Sequence, residues 1–161
     1  MNGFRVGHGY DVHRLVAGRP LVLGGETIPF DRGLEGHSDA DVLLHALTDA
    51  ILGAAGLGDL GSYFPPSDPA WKGASSLRLL EIAVDKARDR GYRVANCDLT
   101  LVAEAPRLAP FRERIRERIA GELGIPADCV GLKATTNEGL GAIGRGEGIC
   151  AFAVVLLARP D

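Results

Sequence analysis

The sequence predicts an α/β (α+β) fold, a two-layer sandwich with helices on one face of a mixed sheet. Strand-like and helix-like hydrophobic periods alternate from end to end, the pattern of helices layered on a sheet. No internal repeat, low-complexity tract or linker interrupts the 161 residues, so the whole chain, 1–161, is expected to be a single domain. Residues 149–157 are apolar at every position, the composition of a strand buried on both sides. One helical layer covers only one of those sides. Other subunits would cover the second, so a closed homo-oligomer is expected; the alternative is a mixed sheet covered by the chain's own loops.

Residues 4–12 read as the first strand. Leu21-Val22-Leu23 and Glu26-Thr27-Ile28, joined by Gly24-Gly25, read as a small hairpin ended by Pro29. Val42, Leu43, Ala46, Leu47, Ala50, Ile51 and Ala54 recur at helical spacing until Gly56, with Ser38 or Asp39 as the expected N-cap. Asp41, His45 and Asp49 stand four apart and form an expected polar stripe on that helix, Asp49 as a supporting partner of His45. Residues 56–74, rich in Gly, Pro, Ser and Asp, read as a long loop, and long loops are often functional. A second helix is expected from about Ser76 to Arg90, stopped by Gly91. Residues 92–103 alternate, with Cys97, Leu99 and Leu101 on one face and Asn96, Asp98 and Thr100 on the other. Leu108, Phe111, Ile115, Ile119 and Leu123 mark an amphipathic helix that carries the charges of RERIRER outward and closes at Gly124. Residues 130–135 read as a short strand, and a Gly-rich turn at 139–148 leads into the last one.

The net charge of −3 and the absence of a Lys/Arg run argue against nucleic acid or an anionic membrane surface as partner. Bound phosphate would have to be met locally. Cys97, Cys129 and Cys150 form no C-x-x-C pair and read as small hydrophobes in a reducing compartment. Residues 1–20 lack a signal peptide's basic-then-apolar order, and the apolar run at 149–158 falls far short of a membrane span of roughly 20 residues. A cytoplasmic protein is expected.

The chemistry gathers early in the chain. GHGYDVH, residues 7–13, holds two histidines and a carboxylate, and the only other histidines are His37 and His45. Side chains two apart on a strand share a face, so Asp11 and His13 can converge on one point. His45, from a helix, can supply a third ligand. Asp/His/His suits Zn²⁺ and leaves a position open for a substrate oxygen; His8 is read as no ligand. The N–H groups of the helix end after His37-Ser38 could also meet an anion. Further on, Lys133-Ala134-Thr135-Thr136-Asn137-Glu138 ends a strand with hydroxyls and an acid before the Gly-rich turn around Arg145 and Glu147. Neither a Walker A loop nor a complete G-x-G-x-x-G is present.

GHGYDVHRL, HSDADVLLHALTDAILGAAGLGDLGSYFP, AEAPRL and KATTNEGLGAIGRGEG closely resemble the 2-C-methyl-D-erythritol 2,4-cyclodiphosphate synthase family of the non-mevalonate isoprenoid pathway. The resemblance runs over residues 5–157. It implies a homotrimer with sheets packed around a three-fold axis and active sites between subunits. It implies Zn²⁺ on Asp11, His13 and His45, and Mg²⁺ or Mn²⁺ held with the help of Glu138. His37 and Thr136 match positions that stabilise the transition state. Asp11, His13, Ser38, Asp59, Leu60, Gly61, Phe64 and Arg145 match positions around the methylerythritol and its phosphates. Ala103, Pro106, Arg107 and Leu108, with Thr135, match a cytidine pocket on the adjoining subunit. Pro66, Glu104, Asn137 and Ala142 depart from the family pattern, and none is a metal ligand.

The implied reaction is attack of a 2-phosphate on the β-phosphorus of a cytidine diphosphate ester, closing a ring and expelling CMP. A phosphate dianion needs no general base, which agrees with the lack of a Ser/His or Cys/His pair. Two other classes share the same residues: a Zn²⁺-dependent phosphohydrolase, and a non-catalytic trimeric module that binds an isoprenoid diphosphate. No cytidylyltransferase domain is expected within the chain.

Overall fold

The computed structural model describes residues 3–160. A five-stranded mixed sheet runs in the order β4-β1-β7-β5-β6, formed by β1 (Phe4–Ala17), β4 (Arg32–Leu34), β5 (Arg93–Val102), β6 (Val130–Thr135) and β7 (Gly148–Ala158). Only the β5–β6 pair is parallel; β1 pairs antiparallel with β7 from Phe4↔Ala158 to Arg14↔Gly148. β2 (Leu21–Leu23) and β3 (Glu26–Ile28) make the separate hairpin expected from the Gly24-Gly25 turn. The first strand runs past its expected end at residue 12, because its last residues pair with β4.

One face of the sheet carries α1 (Val42–Ala54), α3 (Ser76–Asp89) and α4 (Arg112–Leu123). α1 lies across β1 and β7 and is almost wholly buried. Its closeness to β1 has a simple cause. A Cβ at Gly7 would collide with the carbonyl oxygen of Ala50, and one at Gly9 with that of Ala46. β1 therefore presents bare backbone where the helix rests. Cys97, Leu99 and Leu101 of β5 and Ile149, Ala151, Ala153, Val155 and Leu157 of β7 complete the floor of the core. The αL conformation of Gly124 ends α4 as its position predicts.

The N-cap of α1 is Asp41 rather than Ser38 or Asp39. Its fully buried carboxylate accepts from Leu44 N at 3.1 Å and also from Gly24 N at 2.9 Å and Gly25 N at 2.7 Å. Asp41 thus clamps the hairpin to the helix and belongs to no solvent-facing stripe. Burial pushes this carboxyl up to about 6, against the pull of its three backbone donors. Asp41 thus takes one free amide of α1, that of Leu44, and two from the hairpin.

The second face of the sheet is open in this chain. Tyr10, Phe152 and Val154 keep 49%, 39% and 44% of their surface, and Val6 keeps 70%. The sequence expects β7 to be buried on both sides, but the chain's own loops leave this side bare. Cys97, Cys129 and Cys150 are free, and burial pushes the Cys97 thiol up to about 12. No helix among the described residues is long and apolar enough to cross a membrane.

Gly9→Ala should force α1 away from β1 and lower stability by about 1–3 kcal/mol. A urea unfolding midpoint equal to that of the parent would contradict this packing.

Candidate metal centre and substrate cavity

Asp11 and His13 point from β1 toward the helical layer, and His45 comes down from the first turn of α1. Because Ala46 rests on Gly9, the residue before it meets the strand at Asp11. His13 Nε2 lies 2.8 Å from Asp11 Oδ2, and His45 Nδ1 lies 3.1 Å from the same oxygen. The two ring nitrogens are 3.2 Å apart. Among the described residues this is the group of His, Cys and carboxylate side chains gathered tightly enough to hold a metal ion.

The far nitrogen of each ring decides what the near one offers. His13 Nδ1 donates to the Glu35 carbonyl at 2.6 Å, which leaves Nε2 with a lone pair. His45 Nε2 faces Ser76 Oγ at 2.9 Å and Ser38 Oγ at 3.1 Å. The Ser76 hydroxyl donates a hydrogen bond to one oxygen of Asp39, whose second oxygen accepts from Ser76 N at 3.0 Å. Ser76 Oγ can then only accept from His45, so the His45 proton sits on Nε2 and its Nδ1 lone pair points at Asp11. Two imidazole lone pairs and a carboxylate oxygen face one another. Such an arrangement calls for a cation, and the donor set of two neutral imidazole nitrogens and one oxygen fits a divalent ion with a position to spare.

When a proton rather than a cation lies between the rings and the carboxylate, burial pushes the Asp11 carboxyl up, but hydrogen bonds and charge interactions with His13 and His45 outweigh it and bring it down to about 2. In that protonated state burial pushes His13 down, and its hydrogen bond and charge interaction with Asp11 raise it overall; a bound cation takes the place of that proton.

These ligands open on a cavity of about 220 Å³. His37, Ser38, Leu60, Gly61, Phe64, Pro66, Trp71 and Leu79 line it. The 56–74 region is no featureless loop: it holds the short helix α2 (Leu60–Tyr63) and a 3₁₀ turn, Pro69–Trp71. Phe64 meets Trp71 edge-on at 4.9 Å, which gives the cavity an aromatic wall. Asp59 caps α2 by accepting from Ser62 N at 2.8 Å and Ser62 Oγ at 2.7 Å. Asp49 does not support His45. Its Oδ1 accepts from Leu60 N at 2.7 Å.

A second cavity of about 320 Å³ gathers Ala103, Pro106, Arg107, Leu108, Thr135 and Thr136. It shares no residue with the metal cavity. Asp11, Ala151, Leu101 and Ala134 form one row across β1, β7, β5 and β6, so the two cavities stand at the same end of the sheet, about 14 Å apart at ordinary strand spacing. Thr136 Oγ1 bonds the Glu138 side chain at 3.3 Å and accepts from Glu138 N at 3.2 Å. Glu138 lies outside the three-ligand cluster of this chain. Two of the departures from the family pattern meet here: Glu104 accepts from Asn137 N at 2.8 Å and braces the Thr136–Glu138 turn. Arg145 pairs with Glu147 at 2.6 Å beside α5 (Gly141–Gly144), which the sequence reads only as a turn, and lines neither cavity.

By sequence, Ser76 reads only as the start of a helix and Trp71 has no role. Ser76 stands 31 residues from His45, and at the head of a helix it looks like any other opening residue. No local pattern marks it.

A two-layer α/β fold with a ligand cluster at the mouth of a cavity defines the class, an enzyme with a candidate divalent-metal centre. The chain belongs to the YgbB family, which matches residues 4–158. It is 62% identical over 153 residues to the 2-C-methyl-D-erythritol 2,4-cyclodiphosphate synthase of Symbiobacterium thermophilum, covering 95% of this chain and 98% of that one. The bifunctional IspDF of Campylobacter jejuni superposes with a TM-score of 0.96 at 43% identity, over 100% of this chain and 44% of its own length. This chain thus spans less than half of that protein. A CDP-bound form of a 2C-methyl-D-erythritol-2,4-cyclodiphosphate synthase superposes with a TM-score of 0.88 at 42% identity, covering 95% of this chain and 99% of that one.

His45→Ala should abolish divalent-metal binding, and Ser76→Ala, which frees the His45 tautomer, should weaken it by about 10–100-fold. Competition titration with a metal indicator checks both; undiminished affinity in Ser76→Ala would refute the proton assignment.

Proposed function

We infer that this chain is a phosphorus–oxygen lyase that converts 4-diphosphocytidyl-2-C-methyl-D-erythritol 2-phosphate into 2-C-methyl-D-erythritol 2,4-cyclodiphosphate and CMP. The observation that carries this reading is the meeting of Asp11, His13 and His45 at a cavity, in a chain 62% identical to a synthase of that name. A 2-phosphate oxygen forms a bond to the β-phosphorus, and the bond from that phosphorus to the bridging oxygen breaks. The electron pair leaves on CMP, and no water is consumed.

Both reacting groups are anionic, so charge repulsion and chain freedom are the barriers. Zn²⁺ on Asp11, His13 and His45, and Mg²⁺ or Mn²⁺ held by Glu138, supply when bound the positive charge that neutralises the phosphates. The residues do the rest by position. Leu60, Gly61 and Phe64 hold the methylerythritol, with Asp59 at the rim. Ser38 and His37 present polar atoms inside the metal cavity, and Thr136 approaches the phosphates from the second cavity; Arg145, paired with Glu147 and outside both cavities of one chain, is given a phosphate contact by the family resemblance alone. Ala103, Pro106, Arg107, Leu108 and Thr135 take the cytidine. Fixing the reacting ends in line supplies roughly 7–11 kcal/mol, and an aimed donor such as His37 or Thr136 adds about 3–4 kcal/mol.

The two cavities of one chain are too far apart for one phosphate chain to be gripped tightly by both. A homotrimer built through the open sheet face would set the second cavity of one subunit against the metal cavity of its neighbour. The exposed Val6, Tyr10, Phe152 and Val154 support such a contact. The three free thiols accord with residence in the reducing cytoplasm.

The test is phosphorus NMR of the cytidylated substrate incubated with enzyme and Mg²⁺. A cyclic diphosphate with equimolar CMP is expected. CMP with a linear diphosphate would replace the cyclase by a hydrolase, and unchanged substrate would leave a binding module. Glu138→Gln should raise the Mg²⁺ or Mn²⁺ concentration for half-maximal turnover by at least about tenfold, for loss of one charge-assisted contact; a superimposable metal titration would remove Glu138 from that role.

A further inference from the structure

We propose that Asp49 is a positioning residue that ties the α2 wall of the substrate cavity to the helix bearing His45. The proposal deepens the reading above and rests on it for the identity of the substrate. α1 spans only 13 residues, and Asp49 stands one turn after His45 on it, half-buried beneath α2. Its Oδ1 accepts from Leu60 N at 2.7 Å. That amide is the first of a four-residue helix, where it has no partner within the helix. Asp59 takes the amide of Ser62, so two carboxylates divide the free donors of α2, one local and one from α1.

The rest of the wall is held by side-chain packing, Tyr63 against the core and Phe64 buried. Gly56 and Gly58 before it adopt φ of +69° and +90°, a conformation that gives the chain a bend at each. Among the described residues, the Asp49–Leu60 bond is the hydrogen bond that joins the backbone of α2 to α1 or to the sheet. The other ties are side-chain contacts: Phe64 on Trp71, and Lys86 Nζ 4.5 Å from the centre of the Tyr63 ring. Leu60, Gly61 and Phe64 all face the cavity. A shift of α2 would move them relative to the ligands while leaving Asp11, His13 and His45 in place. The Asp49 carboxylate therefore sets the span between metal and wall and makes no contact with the metal.

Asp49→Ala and Asp49→Asn, the latter keeping an acceptor oxygen, separate this from a general loss of structure. Amide exchange at Leu60, Zn²⁺ affinity, KM and kcat are measured on each full-length variant. In Asp49→Ala, Leu60 exchange should quicken by about tenfold and KM rise by about tenfold, the scale of one lost charge-assisted hydrogen bond. Zn²⁺ affinity and kcat should stay within about twofold, and Asp49→Asn should recover most of the protection and of KM. Unchanged Leu60 exchange in Asp49→Ala overturns the tether, and so does a fall in Zn²⁺ affinity that matches the rise in KM. Should the parent enzyme form no cyclic product, the proposed reaction fails on its own account, while the Leu60 exchange still decides the tether.

Discussion

The approach of α1 to the bare backbone of β1 at Gly7 and Gly9 is the constraint on which the rest of the molecule depends. Side chains at those positions would hold the helix a layer further out. Their absence lets backbone rest on backbone, and one residue before the contact at Ala46 the helix delivers His45 to the Asp11 carboxylate. The same seating buries nearly the whole of α1, so packing energy and ligand geometry have one source. Asp41 fixes the remaining freedom by holding the start of the helix to the Gly24-Gly25 turn.

Around the ligands, the protein settles where each proton sits before any ion arrives. The Glu35 carbonyl accepts a hydrogen bond from His13 Nδ1 and so keeps that ring's proton there. Asp39 acts at one remove, committing the hydroxyl of Ser76 so that it must accept from His45. A site preset in this way spends little on reorganisation. The apolar, aromatic side of the cavity and the polar ligand side lie within one small volume, as a sugar-phosphate ligand with a hydrocarbon backbone would require.

Much of this could be read from residue patterns, and the misses share a cause. The alternation of β5, the period of α1 and the D-x-H pair on β1 are local signals, and local geometry expresses them directly. The N-cap of α1 is different. Ser38, Asp39 and Asp41 are all competent caps by type, and the choice falls to Asp41 because the amides of Gly24 and Gly25 reach its carboxylate from 17 and 16 residues away. Asp39 is meanwhile drawn to Ser76, 37 residues on. Asp49 likewise answers to Leu60 rather than to its helical neighbour His45. Each carboxylate was visible, but its partner was set by tertiary contact. The apolar composition of β7 was equally plain, and it could not say whether a loop or another chain covers the second face.

The pairing of Phe4 with Ala158 brings the first and last strands out of the sheet side by side. Asp11 lies seven residues further along the same strand, about 24 Å from that exit at ordinary strand rise. A polypeptide joined to either terminus would therefore leave from the pole remote from the imidazoles. Fusion to a partner catalyst, as in a bifunctional relative more than twice this length, requires no alteration of the chemistry-bearing end.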